Sequence, residues 1–86
     1  MITYNLITFN SPHVAMKSEK ILCDANIINK VVNTPLEISE SCGLSIRLSE
    51  QDFSEALNVL KNSVEISGCY IIIKSGIKKE IKKMEV

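Results

Sequence analysis

Cys42 is where this sequence concentrates groups that can do chemistry. It lies in Ser39-Glu40-Ser41-Cys42-Gly43, with two hydroxyls before the sulfur and a glycine after it. The thiolate, not the thiol, is the nucleophile, and positive potential around a cysteine lowers its pKa. Ser39 and Ser41 offer hydroxyl donors to a sulfur anion or a bound anion. Gly43 removes side-chain bulk beside the sulfur and brings a backbone N–H to it. Ser11 and His13 begin the first expected helix, and a helix N-terminus carries roughly half a positive charge. Placed there, Cys42 has the chemistry of a persulfide carrier. A thiolate of this kind can take a sulfur atom from a donor as a persulfide and pass it on. Arg47, five residues further along, is the candidate contact for a partner.

The other cysteines, Cys23 and Cys69, are far from Cys42 in the sequence. An odd cysteine count at wide spacing gives neither a disulfide framework nor a Cys-x-x-Cys pair. Both read as small buried or surface fillers, the usual role of a free cysteine. Cys69 falls too far from Cys42, about 10 Å across the intervening strand, to act as its resolving thiol.

The elements that must position Cys42 follow from pattern. Ile2 to Asn10 is rich in β-branched and aromatic residues and reads as a strand. Ser11 then caps a helix with Pro12 at its first position, where the missing N–H costs nothing. Val14, Ile21, Leu22 and Ala25 fall at helical spacing. Lys30-Val31-Val32 is a short second strand. Leu44 to Leu48 alternates as a half-buried third strand, with Leu44, Ile46 and Leu48 inward and Arg47 outward. Ser49 caps a second helix whose apolar stripe is Phe53, Ala56, Leu57 and Leu60. A fourth strand runs from about Ile66 to Lys74. Residues 76–86 read as a basic C-terminal tail, in which Ile77, Ile81 and Met84 fit a short surface helix. Residues 1–75 form the single domain.

The order β-α-β-β-α-β predicts an α+β, ferredoxin-like sandwich. It has a four-stranded antiparallel sheet, order 4-1-3-2, and two helices on one face. In that fold the third strand begins beside the end of the first, so Cys42 is expected near Ser11 and His13.

The residues around Cys42 also resemble a family. Thr34-Pro35, Ile38-Ser39, Ser41-Cys42-Gly43-Leu44 and Arg47 are similar to the signature of small bacterial selenium/sulfur carrier-like proteins. Ser11, His13, Ala15 and Glu19 match that family's first helix, and the likeness spans Leu6 to Tyr70. It implies the same fold and a carrier role for Cys42. The sequence departs at Leu36, where the family often has Arg after the proline. Any anion contact made by that Arg is lost here or supplied otherwise.

Composition bounds the remaining options. Ten acids balance ten bases in 86 residues, so the chain has no global steering towards nucleic acid or anionic lipid. No apolar run approaches a membrane span, and the N-terminus lacks the pattern of a signal peptide, which makes the cytoplasm the expected location. RNA binding on the sheet wants stacking aromatics, and the first strand offers only Tyr4 and Phe9. His13 and Cys42 make at most two metal ligands. No metal or other cofactor is therefore expected, and without an acid/base pair the reading leans away from an enzyme. The expected partners are a donor protein and an acceptor protein. The alternative is a non-catalytic ligand-binding or dimerisation module, with Ile71-Ile72-Ile73 as an edge that pairs two copies into a homodimer.

Overall fold

A computed structural model describes residues 1–38 and 43–85 of the chain. Strand β1 (Ile2–Thr8) is the centre of the sheet, flanked on both sides by antiparallel partners. Its side chains alternate between two apolar environments, which is why it reads as a nearly continuous buried run. Ile7 faces the helices, whereas Tyr4 and Leu6 face the other way.

Helix α1 (Pro12–Asp24) starts at Ser11, whose hydroxyl oxygen accepts the His13 N–H at 3.1 Å. It stops in a left-handed residue, Asn26, at φ +60°. The Ile27 N–H reaches the Leu22 carbonyl, and the Asn26 N–H reaches that of Cys23. This pairing uses the last carbonyls of the helix and folds Ile27 back onto Leu22 in the core. Helix α2 (Glu50–Lys61) is capped by Ser49, which accepts the Asp52 N–H at 3.3 Å. Both helices deliver their apolar stripes to one core with Ile7, Phe9, Ile46, Leu48 and Cys69.

Strands β2 (Lys30–Asn33), β3 (Leu44–Leu48) and β4 (Gly68–Ser75) complete the expected arrangement. The spatial order is β2-β3-β1-β4, the reverse listing of 4-1-3-2, and every pairing is antiparallel.

Among the described residues the sheet nevertheless has five strands, not four. The segment read as a basic tail with a short helix is strand β5 (Lys78–Met84), paired antiparallel along β4. Gly76 at φ +60° and Ile77 form the two-residue connection, closed by the Ser75–Lys78 pair. Gly at the first position of such a loop suits the twist of a hairpin. Ile77, Ile81 and Met84 do fit a helical spacing, but the unpaired ladder groups of β4 decide the outcome. Asn5 is 98 % buried on β1, and its side-chain amide donates to the Met84 sulfur at 3.2 Å, tying β5 to the sheet centre.

With β5 in place, Ile71-Ile72-Ile73 is not an edge. The true edges are β2, four residues long, and β5, which carries Lys78, Lys79, Lys82 and Lys83. Short length and lysines are the devices that discourage strand addition.

Candidate functional site

The connection from β2 to β3 is held at its base. The Thr34 N–H donates to the Gly43 carbonyl at 2.9 Å, extending the β2–β3 ladder by one pair. Within the connection the Ile38 N–H donates to the Pro35 carbonyl at 3.0 Å, and the Ile38 side chain is buried. Its neighbours are Tyr4, Leu6, Tyr70 and Ile72, a second core on the sheet face opposite the helices. The first half of the connection therefore folds over the helix-free face. A four-stranded sandwich with one covered face does not anticipate this. The apolar alternation of Tyr4 and Leu6 with Ile7 is the signal that both faces needed cover.

Of the residues singled out in the sequence, Ser39, Ser41 and Cys42 lie outside the described residues. The register places Gly43 at the same end of the sheet as the start of α1. The β1–β3 ladder ends at Thr8 opposite Ser45, so Gly43 comes level with Asn10 just before Ser11. Gly43 is exposed at φ +95°, a conformation side-chain-bearing residues rarely adopt. Ser11 and His13 are brought together as the N-cap pair. The first turn of α1 contains no acid, unlike that of α2 with Glu50 and Asp52. Among the described residues, the positive end of the α1 dipole is thus not offset by a carboxylate in its own first turn.

Arg47 is not part of this group. It stands four residues along β3 from Gly43, about 13 Å by strand rise. Its guanidinium lies over the Tyr4 ring, 3.9 Å from the centroid, on the helix-free face. Lys74 approaches the same ring at 6.0 Å. A Tyr–Arg stack of this kind uses the negative face of the ring. Sequence reasoning placed Arg47 outward but missed Lys74 and Lys79 as its neighbours. The strand alternation across β4 and β5 is the signal that would have found them, once β5 is recognised as a strand.

The two described cysteines differ sharply. Cys23 is exposed, and its sulfur accepts the Asn29 side-chain N–H at 3.7 Å. Cys69 is fully buried opposite Ile7, and burial pushes its thiol up to about 11, partly countered by Lys61. Among the described residues no three His, Cys, Asp or Glu side chains are grouped to hold a metal ion. No helix among them is long and apolar enough to cross a membrane.

Residues 4–71 match the family model described as "Putative Se/S carrier protein-like". The chain belongs to this family. The match runs from within β1 to within β4 and includes the Ser39–Gly43 stretch; β5 lies beyond it. Searches of curated proteins and of solved structures find no match. Leu36, which stands where the family resemblance has Arg, is almost fully exposed.

Proposed function

We propose that the chain carries sulfur or selenium on Cys42 as a transient persulfide or selenosulfide. The observation that supports this most directly is the family match, whose span contains Ser39-Glu40-Ser41-Cys42-Gly43. In the loading step the Cys42 thiolate attacks the terminal sulfur of a donor persulfide. The donor S–S bond breaks, the donor leaves as a thiolate, and Cys42 holds the sulfane sulfur. Attack by an acceptor nucleophile on that sulfur then returns the Cys42 thiolate. Electrons balance without a separate oxidant. The partners are a donor protein and an acceptor protein, and Ser39, Ser41 and the Gly43 backbone steady the anion.

Two local features favour a thiolate at this end of the sheet. The α1 N-terminus, with its Ser11–His13 cap, lacks a first-turn acid, and a helix N-terminus stabilises nearby anions. Gly43, the next residue in the chain, adopts its positive φ without side-chain strain. The test is intact mass after incubation with a cysteine desulfurase and cysteine. A gain of one sulfur, removed by reductant and absent in Cys42→Ser, is the expected result. No gain, or a gain that persists in the variant, rejects the carrier role and leaves a ligand-binding or dimerisation module.

A further inference from the structure

The helix-free sheet face carries charge of one sign. Register places Lys30, Arg47, Lys74, Lys79 and Lys83 on it, and among the described residues no strand position of that face holds a carboxylate. Five of the chain's acids are on the helices, at Glu19, Asp24, Glu50, Asp52 and Glu55. Glu80 alternates to the other side of β5 with Lys82, its ion-pair partner at 3.8 Å.

A cavity of about 450 Å³ opens on this face. Arg47, Lys74 and Lys79 line it together with Tyr4, Leu6 and Leu36. Among the described residues none of the three cations has a carboxylate partner. Lys74 and Lys79 are directly opposed across β4 and β5. Like charges in that position destabilise a sheet, so the fold alone gives no reason for the pair. The simplest structural reading is an edge strand made unsociable by lysine. That accounts for β5, but it does not account for Arg47 and Lys74 on interior strands around the same cavity.

We propose that this cavity binds a compact organic phosphate, the phosphate against Arg47, Lys74 and Lys79 and the apolar portion against Leu6 and Leu36. The volume falls in the small-molecule range of roughly 300–1,000 Å³. A peptide strand fits less well. Strand addition needs an open backbone edge, and the cavity lies on the face of paired strands. The Arg47 guanidinium sits over the Tyr4 ring, 3.9 Å from its centroid, which holds its N–H donors at the cavity for an oxyanion. The proposal does not rest on the role of Cys42.

Phenyl phosphate is the probe, titrated into the full chain at constant ionic strength and followed by amide chemical shifts. Saturable shifts centred on Tyr4, Thr34, Arg47 and Lys79, with affinity at least fivefold above inorganic phosphate, are expected. Lys79→Gln should weaken binding at least tenfold with a Tm equal to or above wild type, since it relieves the Lys74–Lys79 opposition. Arg47→Gln should weaken it similarly, whereas Lys61→Gln, at the end of α2, and Cys42→Ser should leave it unchanged. Non-saturable shifts, equal affinity for inorganic phosphate, or an effect of Lys61→Gln matching that of Lys79→Gln would overturn the site. A Tm loss in Lys79→Gln that accompanies the lost binding would assign the lysine a structural role and overturn it too.

Discussion

Cys23 and Cys69 show how much environment decides for a single side chain. Cys69 faces Ile7 and the helix-side core, so its anion would have no water, and the thiol holds its proton up to about 11 rather than 9.0. Between these values the unfolded chain has lost the proton and the native chain keeps it. The unfolded state then binds fewer protons, so stability falls as pH rises through that window. Denaturant midpoints from pH 8 to 11 should decline less steeply in Cys69→Ala than in wild type. Alkylation of the native chain at neutral pH should modify Cys23 and spare Cys69. Gly43 is a different case at the same scale. A Cβ added there meets no atom within 4 Å, yet the positive φ penalises it. Gly43→Ala should cost about 1 kcal/mol or more, read as a Tm drop of several degrees. The need for glycine could not be told from the pattern Cys-Gly alone, because φ belongs to the folded connection.

At the scale of elements, caps were legible and edges were not. Ser11-Pro12 and Ser49 announce their helices through local hydrogen bonding, and both act as N-caps as expected. The second segment of the sheet's far side was misread because Lys78–Met84 offers few apolar residues and fits two periods at once. Its state is set by what lies beside it, the open ladder of β4. The same ladder makes a prediction. Truncation after Ser75 would expose Ile71-Ile72-Ile73 as an unprotected edge and remove the half-buried Ile81 from over Ile72. The truncated chain should self-associate in size-exclusion chromatography, while the full chain elutes earlier only if another interface is present. Native hydrogen exchange should likewise show protected amides in β5.

The whole molecule has zero formal charge but does not spread it evenly. Helical acids lie on one side of the sheet, and Arg47, Lys74 and Lys79 lie on the other. A polarised neutral protein should be retained on a sulfonate cation exchanger at pH 7 and low salt. It should elute by about 0.15 M salt, where screening shortens to about 8 Å. Retention should fall in Lys79→Gln by more than in Lys61→Gln. Equal retention of the two variants would show that net charge, not the sheet face, governs the binding.

The sequence by itself determined the α+β class, both helix starts, the order of four strands and the family, because these rest on local capping, period and a short motif. It also placed the start of β3 beside the end of β1, since antiparallel register carries a strand end to its neighbour's. Tertiary structure alone decided the fifth strand, the burial of Ile38 over the second face and the convergence of Arg47, Lys74 and Lys79. Each depends on residues distant in the chain. A strand's partner and the cover of a sheet face are settled by long-range pairing and burial, which no window of neighbouring residues contains.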